Sequence, residues 1–402
     1  MTIPNNIPQG YKMTSLGIIP QEWEVKRLGN ICSHFKSGES ITSKDISENG
    51  KYPVYGGNGL RGYSAKYTHD GSYILIGRQG ALCGNINYVE GKSYISEHAI
   101  AVQTTEDLSW LRYKLDFWNL NRYSESSAQP GLSVAKLIRY KLSVPPLAEQ
   151  QKIAEVLGTW DKAIEKQTQL IRKLELRKKG LMQHLLTGKK RLPGFSGEWK
   201  KVRLGDITIF LSTNSFSREQ LNNVKGNILN IHYGDVLVRY SSVLDVSKED
   251  IPYINEQIEY SPKDYVNNGD IIMADTAEDE MVGRCCEVIN IDNTKVVSGL
   301  HTILIHPIIK FAPKYLGYYL NSEKYHKQII SIMQGIKVYS ITKDALRNTT
   351  IDIPCIEEQT GIATILSLCD NKILLAKQKL EKYRQQKKGL MQVLLTGKKR
   401  VL

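Results

Sequence analysis

The side chains in this sequence that are suited to chemistry are scattered, and the pairings a catalyst needs are missing. No G-x-x-x-x-G-K-[ST] loop is written, because Gly91-Lys92-Ser93 lacks the upstream glycine that would cradle phosphates. No [DN]-P-P-[YF] appears, the motif whose side chain and carbonyl hold the target amino group in amino-methylating enzymes. Pro145-Pro146 follows Val144 and precedes Leu147, which reads as a helix start. Asp70, Glu90 and Lys92 imitate the D…E-x-K set of metal-dependent nucleases, yet His69 stands where the usual proline would be. The same residues read equally as a turn aspartate and a hairpin tip. His98, His301 and His306 have neither metal-ligand spacing nor the company of a Ser/His/Asp set. Of six cysteines (Cys32, Cys83, Cys285, Cys286, Cys355, Cys369) none forms a C-x-x-C pair. Adjacent Cys285-Cys286 could share a metal, but without ligand spacing the expected state is reduced, buried thiols. The expectation is a chain with no catalytic chemistry, no cofactor and no metal of its own.

Residues suited to reading another molecule are better represented. Tyr52-Pro-Val-Tyr-Gly-Gly-Asn-Gly-Leu-Arg-Gly-Tyr63 is a glycine-rich loop carrying Arg61 and Tyr63, and Gly77-Arg-Gln-Gly80 puts Arg78 and Gln79 in a turn after a strand. Arg and Gln form paired hydrogen bonds to guanine and adenine edges. Further along, His232-Tyr233 and Arg239-Tyr240 are expected to flank a strand. Asp275-Thr-Ala-Glu-Asp-Glu280 is an acidic loop able to accept from cytosine amino groups or simply to be a solvated turn. Lys36, Arg218 in Ser212–Arg218, and Lys337 in Gln334-Gly-Ile-Lys337 complete the candidate DNA contacts. Each of these could also be ordinary loop structure.

The elements that must position these loops are announced by an internal repeat. Glu149–Arg191 aligns without gaps onto Glu358–Arg400, with 22 of 43 positions identical. A shorter likeness joins Glu22-Trp23…Arg27-Leu-Gly-Asn-Ile31 to Glu198-Trp199…Arg203-Leu-Gly-Asp-Ile207. The chain therefore reads as two copies of one unit with divergent globular stretches, roughly 32–144 and 208–353. In the first copy Ile153, Leu157, Trp160, Ile164, Gln167, Ile171, Leu174, Lys178, Leu181 and Leu185 are spaced alternately by four and three. The second copy has Ile362, Leu366, Cys369, Ile373, Ala376, Leu380, Tyr383, Lys387, Leu390 and Leu394 in the same register. That is a heptad seam on helices of about 40 residues, ~60 Å at ~1.5 Å per residue. Prolines stand at their starts and Gly188 and Gly397 at their ends. Gly180 and Gly389 inside mark either a tolerated bend or the close approach of another helix. About ten residues, Lys189 to Glu198, join the first helix to the second globular stretch, which feeds the second helix directly. The second helix must run back antiparallel to the first, returning Thr396–Arg400 near Trp23.

The globular stretches read as mixed structure. Strand-like runs are Ser72–Ile76, Ile228–Ile231, Asp235–Val238, Asp270–Met273 and Leu300–Ile305; Leu108–Tyr123 and Pro313–Ile332 read as helical. The fold class is α+β with two globular domains, two long helices forming an antiparallel coiled coil, and an internal pseudo-two-fold repeat. The domains are expected at 1–144 and 193–353, the helical segments at 145–192 and 354–402. The 402 residues are 41% hydrophobic and 24% charged, which excludes a disordered or fibrous chain, and no apolar run approaches a membrane span. Met1–Asn6 lacks a signal peptide's features, so a soluble cytoplasmic protein is expected. Net charge is +13, and the two helical segments supply +6 each. Such a run is either a solvated face or a surface for phosphate backbone.

The twice-used Pro-x-x-x-Glu-Gln…Gly-Leu-Met-Gln…Leu-Leu-Thr-Gly-Lys-Lys-Arg frame and the Glu-Trp-x-x-x-Arg-Leu-Gly-[Asn/Asp]-Ile opening resemble the specificity (S) subunit of type I restriction–modification enzymes, as do Tyr55-Gly-Gly-Asn-Gly59 and Ile76-Gly-Arg-Gln-Gly80. The resemblance spans nearly the whole chain. It implies a non-catalytic subunit whose two target recognition domains each read half of a split double-stranded DNA site, with the helices as a spacer of set length. It also implies two modification subunits that carry S-adenosylmethionine and methylate adenine N6, and motor/restriction subunits that use ATP with Mg. Two other classes stay open on the residues alone: a stand-alone bivalent DNA-binding regulator, and a coiled-coil scaffold for proteins.

Overall fold

The computed structural model describes residues 7–80, 82–124 and 131–401. The chain divides into two compact units, the first built from two separate stretches, 1–168 with 378–402, and the second continuous, 169–377. Each long helix, Leu147–Leu185 and Ile356–Leu394, is 39 residues and contributes to both units.

In the first unit a four-stranded antiparallel sheet has the order Cys32–Ser37, Ala99–Thr104, Tyr73–Gly77, Ile86–Val89. All five residues of Tyr73–Gly77 are buried. Side chains alternate across a strand, so Ile74 and Ile76 join Ile100, Val102 and Trp110 on one face, while Tyr73 and Leu75 join Ile95 and Ala101 on the other. A three-stranded sheet, Gly59–Ser64, Tyr52–Gly56, Tyr94–Ile95, carries the glycine-rich loop. The helix expected over Leu108–Tyr123 covers only Leu108–Trp118. Asp107 caps its start by accepting from Trp110 N–H at 2.7 Å, and Asn119, with φ 51°, ends it.

The second unit repeats the sheet order in sequence that hardly matches: Thr208–Leu211, Thr302–Pro307, Ile271–Ala274, Cys285–Ile289, with Val243–Asp245 added in parallel at the edge. Ile271, Met273, Ile303 and Ile305 face one core, and Ile272, Ala274, Leu304 and Cys286 the other. Two sequence readings are corrected here. Asp235–Val238 is not a strand but part of a short helix, Tyr233–Val238, so His232-Tyr233 and Arg239-Tyr240 bracket a helix. The β-branched run suggested extension, but His232 caps the turn by accepting Gly234 N–H at 3.2 Å through Nδ1, and Val238 is left exposed. Pro313–Ile332 splits into Tyr315–Leu320 and Glu323–Ile332, because Ser322 caps the second piece.

Within each unit the two long helices pack antiparallel. In the first, Trp160 meets Tyr383 with ring centroids 5.6 Å apart and Asp161 pairs with Lys387 at 2.6 Å. In the second, Lys178 pairs with Asp370 at 2.5 Å and Glu175 with Lys377 at 2.9 Å. The register of the repeat makes Asp161–Lys387 and Asp370–Lys178 the same pair used twice. Ile153, Leu157, Ile171, Leu185, Ile362, Leu366, Ile373, Leu380 and Leu394 are buried along the seam; Trp160, Ile164, Leu174, Leu181, Tyr383 and Leu390 are half-buried. Each fully buried side chain contributes about 1.5–3 kcal/mol against about 0–1 for an exposed ion pair. Apolar burial therefore holds the helices together and the ion pairs set their register. A Cβ on Gly180 or Gly389 would meet nothing within 4 Å, so neither glycine is there for the close approach of another helix.

The repeated frame has a physical role that recurs in each unit. Buried Glu149 accepts from Trp23 Nε1 at 2.9 Å and from Arg400 Nε at 2.8 Å. Buried Glu358 does the same for Trp199 at 3.1 Å and Arg191 at 2.7 Å. The neighbouring glutamines tie helix start to domain: Gln150 donates to Pro145 O and accepts from Asp107 N–H, and Gln359 donates to Pro354 O and accepts from Ala312 N–H, all at 2.9 Å. Thr396–Arg400 thus returns to Trp23 as Thr187–Arg191 does to Trp199.

Candidate nucleic-acid interface

In the first unit the turn after Tyr73–Gly77 is held beside the residue that precedes Ala99–Thr104. Arg78 N–H donates to His98 O at 2.9 Å, because Gly77 and Ala99 are partners in the ladder. Arg78 Nη1 reaches Glu97 O at 3.4 Å, and Gln79 Oε1 meets His98 Nδ1 at 3.2 Å. The glycine loop closes on this turn. A Cβ on Gly57 would stand 2.9 Å from His98 O and 3.2 Å from Gly77 Cα, and one on Gly56 would strike the Arg61 side chain. Only glycine permits that approach, so Arg61, Arg78, Gln79 and His98 form one loop cluster. Ser37, Arg78, Gln79 and residues 131–135 line a cleft of about 410 Å³ there. Lys36, on Cys32–Ser37, is exposed and pairs in register with Ala101. Tyr63 belongs elsewhere, bridged to Ser47.

The second unit builds its counterpart on the same strand ends. Asp275 N–H donates to His301 O at 3.1 Å, just as Arg78 does to His98, since Ala274 pairs with Thr302. Thr276 donates to Asp275 Oδ1 at 2.7 Å. The Tyr233 ring lies tilted against His232, with centroids 4.7 Å apart, and edge-on to His301 at 5.3 Å. Arg218 binds Asp235 Oδ2 at 2.8 Å beside His232. Burial and then the Arg218 charge hold the His232 imidazole below its ordinary value, so it is neutral at pH 7, with Nδ1 as the helix cap. Arg239 lies at the far end of the short helix, over the Tyr240 ring. Lys337 is exposed in the loop closed by Gln334 and Ser340, whose strand pairs with Thr276–Ala277.

The sequence reading missed His98 and His301 as members of these clusters and Asp235 as the partner of Arg218. Spacing carries no sign of them, because the ladder between neighbouring strands brings each pair together. The nuclease-like set is not assembled as a metal site: Lys92 stands 4.0 Å from an exposed Asp70, and among the described residues no group of three or more His, Cys, Asp or Glu is placed to hold a metal. All six cysteines are free. Among the described residues no helix is long and apolar enough to cross a membrane.

The duplicated frame carries two loop clusters of different side-chain chemistry on equivalent strand ends, Arg78-Gln79 in one unit and Asp275-Thr276 in the other. The chain matches the model of the type I restriction modification DNA specificity domain over residues 20–176 and 196–383, and it belongs to that family. Specificity subunits of this kind are non-catalytic DNA-recognition subunits. The chain is 42% identical over 146 residues to the EcoprrI specificity subunit of Escherichia coli, a span of 35% of this chain and 36% of that relative. To the MjaVIII specificity subunit of Methanocaldococcus jannaschii it is 26% identical over 95% of this chain and 94% of the relative. The fold matches the crystal structure of the S subunit of a type I restriction–modification system from M. genitalium, with TM-score 0.60, 14% identity and 98% of each chain covered. It also matches a chain from a structure describing complex assembly and conformational transition of the type I R-M system, with TM-score 0.59, 16% identity, and 94% and 99% covered.

Proposed function

We propose that this chain is the DNA-specificity subunit of a cytoplasmic type I restriction–modification complex, each globular domain reading one half of a bipartite, asymmetric site. The target recognition domains are 1–144 and 193–353. The helical segments 145–192 and 354–402 set the spacer and dock two modification subunits. S-adenosylmethionine belongs to those adenine-N6 methyltransferases, and ATP with Mg to the motor/restriction subunits. The observation that carries the reading is the contrast at equivalent strand ends: Arg78-Gln79 beside His98, and Asp275-Thr276 beside His301. Arg presents paired donors suited to guanine N7 and O6, whereas Asp accepts from the cytosine amino group. Two heads of the same build therefore favour different bases. Lys36, Arg61, Arg218, Arg239 and Lys337 supply cations for phosphate or base contacts around these loops.

Methylome sequencing of cells that express the chain with candidate modification subunits tests this. The expected result is a split adenine-methylated motif, of which only one half changes when residues 32–144 are exchanged for those of a relative. A contiguous motif, a change in both halves, or DNA binding that needs no methyltransferase partner would refute it.

A further inference from the structure

In the first unit a second cleft, of about 530 Å³, shares no lining residue with the cleft at the loop cluster. A volume of this size suits a small ligand. Its charged lining is Lys114, Arg122, Lys141 and Lys398, with no carboxylate among the described residues. Trp118, Tyr123 and Tyr140 provide half-buried ring faces, Tyr123 and Tyr140 lying 4.4 Å apart and Arg122 stacking on Tyr123 at 4.7 Å.

Lys114 is the anomaly. It is only 8% exposed, and its ammonium donates to Leu395 O at 2.5 Å and to Ser143 Oγ at 3.1 Å, with no carboxylate partner. Buried charges are normally paired. Burial alone pushes the group down to about 8, which leaves it cationic at neutral pH. The repeat supplies an internal control. Tyr113 and Tyr318 both donate to the repeated aspartates, Asp161 and Asp370, at 2.6 Å, which aligns Lys114 with Tyr319. Tyr319 is buried and neutral and accepts from Asp352 N–H at 2.9 Å. The scaffold itself therefore does not require a cation at this point.

We propose that this cleft binds a free nucleoside phosphate, its base on the Trp118, Tyr123 and Tyr140 rings and its phosphates among Arg122, Lys141 and Lys398, with Lys114 behind them. Four cations call for a ligand with more than one negative charge, and the rings call for a flat one. A nucleotide at the end of a nucleic acid has the same chemistry, so the test separates the two sources. None of the loop residues assigned to DNA reading takes part, and failure here leaves the specificity reading untouched.

Isothermal titration calorimetry on the full chain with ATP, AMP, adenosine and inorganic phosphate decides it. ATP is expected to bind more tightly than AMP, and adenosine and phosphate alone more weakly than either. Lys114→Tyr, which borrows the residue of the second unit, and Arg122→Glu on the exposed rim should each weaken ATP by about 10–100-fold. Lys114→Tyr should leave the melting temperature unchanged. If it does not fold, Arg122→Glu alone decides. No binding of ATP at about 5 mM, or equal binding by Arg122→Glu, overturns the proposal. So does displacement of ATP by a short duplex that itself loses affinity in Arg122→Glu, which would assign the cleft to nucleic acid.

Discussion

Glu149 shows how much one side chain of the repeated frame carries. It is 3% exposed and satisfies both the Trp23 indole and the Arg400 guanidinium. Glu149→Ala orphans the buried Trp23 indole and leaves Arg400 with Glu22 alone, and a loss of about 2–4 kcal/mol by chemical denaturation is expected. Glu287 gives a pH signature. Its buried carboxyl is pushed up to about 7 by desolvation, against the pull of the Gly317 N–H at 2.9 Å and the Lys314 N–H. With a folded value above the unfolded one, the native state holds the extra proton. The contribution is full below about 4.5 and lost as pH rises through about 7, on the order of 2–3 kcal/mol. Stability curves at pH 5 and 8 should converge in Glu287→Gln relative to the parent. If the loops read DNA as proposed, Arg78→Ala should relax one base position by about 1–3 kcal/mol, seen as degeneracy in one half of the methylated motif. The types of Arg78 and Gln79 were legible in the sequence; their company with His98 was not, because the strand ladder decides it.

The long helices were the most legible elements, since a seam spaced by four and three over more than four heptads leaves no other way to bury it. The matched pairs Asp161–Lys387 and Lys178–Asp370 follow from that register. In a double-mutant cycle, Asp161→Ala and Lys387→Ala should couple by about 1 kcal/mol, and the second-unit pair by a similar amount. A coupling near zero would mean that the apolar seam alone sets the register. Short elements were less legible. Val236, Leu237 and Val238 look extended in isolation, and the cap from His232 turns them into helix. Asn119 and Ser322 cut longer helical runs in the same local way.

At the scale of the molecule, the repeat makes a prediction about the DNA rather than the fold. Removing one heptad from each long helix keeps the seam in phase, and the methylated motif should keep both half-sequences while its spacer changes length. An unchanged spacer in the methylome would count against the helices as the measure.

Duplication, helix length, seam register, charge placement and the lack of catalytic motifs were determined by the sequence itself, because each depends on periodicity or on residues close in the chain. The tertiary structure decided which distant residues meet. Glu149 with Arg400, Arg78 with His98, and Asp275 with His301 are joined by strand pairing and helix packing across tens to hundreds of residues. The unpaired burial of Lys114 emerged the same way, since a charge is anomalous only once its surroundings are known.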